Sequence, residues 1–200
     1  MSSASHSPAE ALRGVLLDAA RATAPPAPGR IEAGVLVALY PDRGDLRAIL
    51  TRRRHDLRRH AGEISFPGGR REAGDADLSQ TALREAEEEI GLPADSVGLV
   101  GALLPVATIG TSFAVHPFVG LIEPGSRWTP CAGEVDEVLE LSLATLRAAR
   151  TRRRLSHRGV PYRTDVYDVG ERLVIWGATA RIVGDLLARV SGVFDGRSGG

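Results

Sequence analysis

The sequence has no lysine, one cysteine, no excess charge of either sign and no long apolar run. Its 25 basic residues are all arginine and are balanced by 25 acidic residues, which argues against a protein that coats nucleic acid or an anionic membrane. The lone Cys131 excludes an internal disulfide, fits a reducing compartment and is expected to be a buried structural thiol. No apolar stretch approaches the ~20 residues that cross a bilayer, and the first residues lack the pattern of a secretory signal. We therefore expect a cytoplasmic protein with neither nucleic-acid nor membrane partners.

A chain of 200 residues is long enough for one well-buried domain. We predict an N-terminal helix and linker over 1–30, a single domain over 31–191 and a disordered tail over 192–200. Strand patterns cover 33–40, 46–51, 98–108, 113–122, 160–169 and 171–176, helical patterns cover 9–22, 77–90, 144–150 and 177–190, and 134–141 is ambiguous. The first two strands are joined by a turn-like segment, which indicates a hairpin. Strands interleaved with helices predict a layered α/β (α+β) domain.

The segment 77–90 combines a clear helical pattern with a high density of charge near its end. Asp75 or Asp77 can cap its N-terminus, and Gly91 followed by Pro93 supplies a stop. One face is apolar and should pack on a sheet. The members of this face are Ala82, Leu83, Ala86 and Ile90.

Three carboxylates of this helix, those of Glu85, Glu88 and Glu89, are spaced three and four residues apart and therefore share one flank. Each like-charge pair costs a free helix ~0.2–0.5 kcal/mol, and acidic groups are also unfavourable near a helix C-terminus. Arg84, four residues before Glu88, offsets only part of this repulsion. Oxygen ligands at this density suit a hard divalent cation such as Mg²⁺ or Mn²⁺; the alternative is a solvated, highly charged helix face.

The loop that precedes the helix favours the metal site over the solvated face. Pro67 makes a rigid turn, and Gly68 and Gly69 leave the backbone N–H groups free to approach a ligand. Glu72 and Asp75 lie between this loop and the helix. Five carboxylates and an accessible backbone are thus predicted to lie close together.

These residues resemble the Nudix hydrolase family, whose box has the form G-x5-E-x7-R-E-U-x-E-E-x-G-U, with U a bulky apolar residue. The second half of the box is filled by Arg84, Glu85, Ala86, Glu88, Glu89, Gly91 and Leu92. The first half departs, because Gly69 is followed after five residues by Asp75 where Glu is expected, and eight residues rather than seven precede Arg84. The resemblance implies a Nudix-type α/β/α sandwich, with a mixed β-sheet between helices. It also implies hydrolysis of a nucleoside diphosphate linked to another group.

An upstream signature resembles the coenzyme A pyrophosphatases within this family. It reads L-L-T-x-R-S/A-x3-R-x3-G-x3-F-P-G-G-x-x-D, while Arg54 and Glu72 depart from it here. The matching residues are Ile49, Leu50, Thr51, Arg53, Arg58, Gly62, Phe66, Pro67, Gly68 and Gly69. The resemblance implies cleavage of coenzyme A or acyl-coenzyme A to 3′,5′-ADP and 4′-phosphopantetheine or its acyl derivative.

Roles for individual residues follow from the two resemblances. Glu85, Glu88 and Glu89 would hold Mg²⁺ (or Mn²⁺), and Arg84 would orient them. Glu137 is a candidate general base, with Glu134 and Glu88 as alternatives. The predicted substrate-binding residues are Arg53, Arg58, Gly62, Phe66, Pro67, Gly68 and Gly69. The arginines of 52–59 suit the 3′-phosphate of coenzyme A, and a homodimer is possible by resemblance.

Two other functions compete with this prediction. A second enzyme hypothesis keeps the chemistry but changes the substrate to ADP-ribose, NADH or an oxidised nucleoside triphosphate. A third hypothesis is a Nudix domain that only binds a nucleotide, against which the complete set of Glu85, Glu88 and Glu89 counts. RNA binding is disfavoured because no aromatic residue interleaves the arginines of 52–59.

Overall fold

The computed structural model of the chain describes residues 7–19, 31–56, 62–108, 112–157, 159–170 and 173–194. Within these ranges, the helices are α1 (Pro8–Arg13), α2 (Leu78–Ile90), α3 (Leu143–Ala148) and α4 (Gly177–Phe194), with a 3-10 turn at Ala94–Ser96. The strands are β1 (Ile31–Asp42), β2 (Asp45–Arg53), β3 (Ile64–Ser65), β4 (Gly68–Arg70), β5 (Gly98–Ala102), β6 (Val106–Ala107), β7 (Phe113–Leu121), β8 (Val135–Ser142), β9 (Arg150–His157), β10 (Val160–Gly170) and β11 (Leu173–Ile175).

An eight-stranded mixed sheet forms the centre of the molecule. β1 pairs antiparallel with β2, as expected for the predicted hairpin, and parallel with β7. The sheet continues through β3 and β8 beside β2, and through β5 beyond β7. β4 pairs with the start of β1 and brings the glycine-rich loop to the sheet.

Alternate residues of β1 face two different hydrophobic clusters. Leu36, Ala38 and Tyr40 pack with the apolar face of α2, whereas Val37 and Leu39 pack with α4 on the opposite side. Burial of each large apolar side chain stabilises such a layer by roughly 1.5–3 kcal/mol, so both helices are held firmly on the sheet. The layers are therefore helix, mixed sheet and helix, as the family resemblance implied.

A second sheet contains β9, β10 and β11, all antiparallel. Tyr167 and Ile175 anchor it in the same cluster as α4. The predicted pair of strands at 160–169 and 171–176 is present as β10 and β11, with residues 171–172 outside the described ranges. β9 was not predicted, and the helix expected over 144–150 ends at Ala148 because Arg150 begins this strand.

Several predicted boundaries need correction. The first helix is only Pro8–Arg13, because the chain turns at Gly14 and Leu17 then pairs with Ala102 of β5. The strand predicted over 98–108 is interrupted between β5 and β6, and the ambiguous segment 134–141 is mostly strand β8.

The two ends of the chain lie partly outside the described ranges. α4 extends through 192–194, so these residues are helical rather than a disordered tail. The end of the helix predicted over 9–22, the linker that follows it up to residue 30 and the tail from 195 onward fall on residues that are not described. No helix in the described part of the chain is both long and apolar enough to span a bilayer.

Candidate active site

Helix α2 begins and ends as its sequence predicts. Asp77 is the N-cap, and its carboxylate accepts a hydrogen bond from the Gln80 N–H at 2.9 Å. Gly91 ends the helix with φ +70, the left-handed conformation that glycine adopts without strain. Of the two possible caps, Asp77 therefore performs this function, and Asp75 is free for another contact.

Arg84 connects the loop before α2 with two carboxylates of the helix. Its Nε and Nη2 donate to the two carboxylate oxygens of Asp75 at 3.0 and 3.1 Å. Its Nη1 donates to Glu85 Oε1 and to Glu88 Oε2, each at 3.0 Å. Asp75 also accepts from the Thr81 hydroxyl at 2.8 Å, and the guanidinium holds the pKa of this carboxyl well below its usual range. Arg84 thus fixes the orientation of Glu85 and Glu88.

Glu89 is the most buried carboxylate of the three, with 5% of the residue exposed. The Gly68 N–H donates to it at 3.4 Å, and the Arg53 Nη1 lies 3.8 Å from its Oε1. Burial raises the pKa of Glu89 to about 7, and Arg53 opposes only part of this effect. The Nε–H of Arg53 is itself buried without an acceptor among the described residues.

Glu85 lies directly against the glycine-rich loop. A Cβ on Gly69 would be 2.4 Å from the Glu85 Oε1, so only glycine allows this carboxylate to approach the backbone so closely. Burial raises the pKa of Glu85, and Arg84 lowers it. The glycine-rich loop therefore contacts Glu89 through Gly68 and Glu85 at Gly69, and the charges of both carboxylates are incompletely compensated.

The segment before β8 brings one further carboxylate to the site. Cys131 N–H donates to the Glu89 carbonyl at 2.8 Å, and Glu134 N–H donates to the Cys131 carbonyl at 3.0 Å. The Arg53 Nη2 then lies 3.6 Å from the Glu134 Oε2, so Arg53 stands between Glu134 and Glu89. Cys131 is exposed, and the expectation of a buried thiol was wrong.

Glu137, the other candidate base, has a different partner. Glu137 on β8 is the register partner of Arg52 on β2, and the Arg52 Nη2 is 2.7 Å from the Glu137 carboxylate. Arg54 is engaged in the same way, with its Nη2 2.6 Å from Asp56. Of the described arginines in 52–59, only Arg53 therefore reaches the carboxylates of α2.

A family comparison decides the identity of this arrangement, since a NUDIX domain model matches residues 30–160. The chain belongs to the Nudix domain family. The uncharacterized Nudix hydrolase NudL of Pectobacterium atrosepticum is 38% identical over 144 residues, which cover 72% of this chain and 74% of the relative. NudL of Salmonella paratyphi B is 36% identical over 152 residues, covering 71% and 74% of the two chains. These names specify a Nudix hydrolase and give no substrate.

Solved structures agree with the fold. A MutT/nudix family protein from Enterococcus faecalis superposes with a TM-score of 0.53 at 15% identity, over 86% of this chain and 66% of that one. The ORF135 protein of E. coli gives a TM-score of 0.50 at 15% identity, over 84% and 97% of the two chains. These likenesses, together with the layers described above, confirm the predicted Nudix-type α/β/α sandwich.

Nudix hydrolases generally use a divalent cation, and the charges of this site suit one. Its carboxylates outnumber its guanidinium groups, so ionisation of all of them leaves a negative excess. The carboxylates are those of Asp75, Glu85, Glu88, Glu89 and Glu134, and the guanidinium groups are those of Arg53 and Arg84. Among the described residues, no three His, Cys, Asp or Glu side chains are already arranged around one ion. Arg84 donates to both Glu85 and Glu88, so a cation must compete with the guanidinium for these two carboxylates.

The remaining signature residues support the loop of this Nudix site. Phe66 is 2% exposed within the core, and the carbonyl of the buried Pro67 accepts from Leu36 N–H at 2.9 Å. Gly62 has φ +71 and donates its N–H to the Arg53 carbonyl at 3.1 Å. Arg58 lies outside the described residues. The side chains in this group position the loop, and their contact with substrate stays a prediction.

Proposed function

We propose that the chain is a metal-dependent pyrophosphohydrolase that cleaves the diphosphate of coenzyme A or acyl-coenzyme A, giving 3′,5′-ADP and 4′-phosphopantetheine or its acyl derivative. The position of Arg53 carries this proposal. It belongs to the signature that resembles coenzyme A pyrophosphatases, and its guanidinium lies 3.8 Å from Glu89 and 3.6 Å from Glu134. A residue of the upstream signature is thereby brought to the carboxylates of the Nudix helix, where a diphosphate must bind.

The side chains have distinct roles in this proposal. Glu85, Glu88 and Glu89 hold Mg²⁺ (or Mn²⁺), which when bound neutralises diphosphate oxygens and lowers the pKa of a coordinated water. Arg53, whose Nη atoms lie between Glu89 and Glu134, donates to the diphosphate. Arg84 orients Glu85 and Glu88.

The position of Glu134 favours it over Glu137 as the general base. Glu134 shares Arg53 with Glu89. The Glu137 carboxylate, in contrast, is bound by Arg52. The Glu134 carboxylate is therefore the group that we expect to accept the proton of the attacking water.

Two alternatives keep part of this proposal. A Nudix enzyme specific for ADP-ribose, NADH or a nucleoside triphosphate would use the same carboxylates on a different substrate. A non-catalytic nucleotide-binding domain would gain stability by replacing Glu89, because an ionised buried carboxylate is costly to retain. The retention of Glu85, Glu88 and Glu89 therefore supports an enzyme.

Product analysis separates these functions. Purified protein with Mg²⁺ is incubated with coenzyme A, acetyl-coenzyme A, ADP-ribose, NADH and nucleoside triphosphates, and the products are identified by mass. We expect release of 3′,5′-ADP from coenzyme A or its thioester at the highest kcat/KM. A clear preference for another substrate would contradict the coenzyme A proposal, and binding without turnover of any of them would indicate the non-catalytic domain.

The raised pKa of Glu89 predicts how stability depends on pH without divalent cations. Its folded pKa of about 7 exceeds the ordinary value of 4.5, so between these values the folded protein keeps a proton that the unfolded chain has released. This contribution to stability is complete below pH 4.5 and is lost as the pH rises through 7. We expect the free energy of unfolding to fall by about 2.5 kcal/mol between pH 5 and 8, measured with urea in EDTA.

Mg²⁺ should reverse this trend, because it binds the ionised carboxylates and not the protonated ones. The expected rise in Tm on adding Mg²⁺ is therefore larger at pH 8 than at pH 5. Glu89→Gln, which removes the titrating group, should flatten the pH dependence and diminish the response to Mg²⁺. An unchanged pH slope in this variant would contradict the assignment. Asp75, whose pKa is lowered, acts only in a more acidic range, whereas burial raises the pKa of Glu85 as well, so a smaller slope of the same sign should remain in the variant.

The proposed substrate also predicts where the protein is located. Coenzyme A is an intracellular cofactor, and the exposed free thiol of Cys131 suits the reducing conditions of a cytoplasm. The homodimer stays a prediction, which sedimentation of the purified protein tests.

A further inference from the structure

A cavity of about 760 Å³ adjoins the carboxylate cluster. Arg53 and Ser65 line it from the edge of the central sheet, Arg153 lines it from β9, and Trp176 and Arg181 line it where β11 leads into α4. Arg53 is shared between the cavity and the carboxylates, since its Nη1 lies 3.8 Å from Glu89. If the diphosphate of a substrate contacts Arg53, the group attached to one side of that diphosphate therefore extends into this cavity.

The second sheet supplies most of the apolar wall. Leu155 on β9 is paired in register with Tyr162 on β10, and Val166 projects to the same face four residues further along. Trp176 completes this wall and is 45% exposed, an unusual exposure for so large an apolar side chain. Two aromatic side chains thus border a cavity of the size that holds a small ligand.

The cavity is also positively charged. Arg53, Arg153 and Arg181 line it, and Glu63 is the one acidic residue among its described lining residues. Arg153 is neutralised by Asp168 at 2.5 Å. Arg181 donates to the Ala107 carbonyl at 2.9 Å and has no carboxylate partner among the described residues. Among the arginines that line the cavity away from the carboxylates of α2, Arg181 on α4 is therefore the one available for an anion.

These features distinguish the two halves of coenzyme A, the substrate in the function proposed above. The pantetheine half carries neither an aromatic ring nor a charge. The adenosine half carries both a flat purine and a 3′-phosphate, which suit an aromatic wall and a guanidinium without a carboxylate partner. The arginines at 52 and 54 are bound to carboxylates of the protein, so they are poorly placed to supply this contact.

We propose that this cavity binds the 3′-phosphoadenosine half of the substrate, with the purine against Trp176 and the 3′-phosphate on Arg181. Arg181 is then a specificity-determining residue, because ADP-ribose, NADH and dephospho-coenzyme A have no 3′-phosphate. The inference rests on the proposed function for the identity of the substrate, and its site is separate from the metal-binding carboxylates.

Equilibrium binding tests the site without requiring turnover. Isothermal titration of the full chain compares adenosine 3′,5′-bisphosphate with AMP, which differ only in the 3′-phosphate. We expect the bisphosphate to bind about tenfold more tightly, and Arg181→Ala to remove this preference while leaving AMP binding unchanged. Arg181→Lys should restore part of it. Trp176→Leu should weaken both ligands by about tenfold, since both contain the purine.

Arg152→Ala is the control for loss of one arginine, because Arg152 lies on β9 near the cavity, but its side chain is 77% exposed and outside the cavity lining. Its preference for the bisphosphate should equal that of the wild type. Equal affinities of the wild type for the two nucleotides, or an equal effect of Arg181→Ala on both, would overturn the inference. Absence of binding by both nucleotides would overturn it as well.

Kinetics distinguish failure of this inference from failure of the proposed function. If coenzyme A is hydrolysed, Arg181→Ala should raise its KM about tenfold with little change in kcat, and should leave kcat/KM for dephospho-coenzyme A unchanged. If Arg181→Ala changes the hydrolysis of neither coenzyme A nor dephospho-coenzyme A, the 3′-phosphate contact is refuted and the proposed function remains intact. A bisphosphate preference lost in Arg181→Ala, in a protein that does not cleave coenzyme A, would refute the function and retain the site.

Discussion

Replacement of Glu89 by Gln is expected to lower kcat for diphosphate hydrolysis by about a thousandfold, a loss of about 4 kcal/mol of transition-state stabilisation. Gln has the shape of Glu and can still accept from the Gly68 N–H, but it cannot supply the anionic ligand that a divalent cation needs. Because the substitution removes a buried carboxylate, the protein should remain folded and, without metal at pH 8, should be more stable than the wild type. Steady-state kinetics and thermal unfolding measure the two effects.

Helix α2 provides a matched control in Glu87→Gln. Glu87 is on the same helix two residues earlier and is exposed, and residues two apart on a helix do not face each other. The expected activity of this variant is within twofold of the wild type, as for most surface substitutions. Undiminished turnover in Glu89→Gln would refute the metal role of Glu89. Equal losses in both variants would show that the effect arises from general charge on the helix.

The Nudix helix was predictable from sequence because its signals are local. Caps at Asp77 and Gly91, the apolar face and the spacing of Glu85, Glu88 and Glu89 all lie within 15 residues. The buried position of Glu89 was not predictable in the same way. Helical spacing places it beside Glu85, but its burial depends on Gly68 and on the segment at Cys131, which come from other parts of the chain.

Strand β9 shows where sequence patterns fail. Its residues Arg150–His157 carry arginine on both faces, so the alternation of apolar and polar residues that identifies a half-buried strand is weak. The strand forms because β10 pairs with it, and Asp165 and Asp168 of β10 neutralise three of its arginines. Since that pairing is a property of two segments together, the cavity that this sheet lines could not be inferred from either one.

The roles of the arginines also depend on register. Consecutive residues of β2 face opposite sides of the sheet, so Arg52 meets Glu137 whereas Arg53 reaches Glu89 and Glu134. The basic composition of 52–59 did not separate these residues, and only the resemblance to the upstream signature distinguished Arg53 from Arg52. The shift in register between β2 and β8 at Arg53 is the local irregularity that accompanies this change of partner.

Asp75 illustrates how a change of one residue in a motif can be accommodated. The family box has Glu at this place, and here the shorter Asp binds Arg84 through both carboxylate oxygens. It also accepts the N–H of Glu72 at 2.9 Å and the hydroxyl of Thr81. With 4% of its side chain exposed, this carboxylate relies on Arg84 for its charge compensation.

Arg84→Met is therefore expected to destabilise the protein by about 3 kcal/mol at pH 7, because it leaves the Asp75 carboxylate buried without its cation. Arg84 lowers the pKa of Asp75 in the folded state, so this contribution is complete above the ordinary pKa of 3.8, begins to decrease below it and is lost as the pH falls through the lowered folded pKa. The difference between variant and wild type should accordingly shrink below pH 4. Urea unfolding in EDTA at pH 7 and pH 3.5 measures it.

A double-mutant cycle separates the ion pair from the packing of the arginine stem. Asp75→Asn removes the charge while keeping the shape of the side chain, so Arg84→Met should cost less in that background than in the wild type. We expect a coupling free energy of about 2 kcal/mol between the two positions, within the range for contacting residues in one network. Arg84→Met should also lower kcat in the presence of Mg²⁺, because Glu85 and Glu88 lose the donor that orients them. Additive stability effects would show that Asp75 and Arg84 act independently and would assign the loss to packing alone.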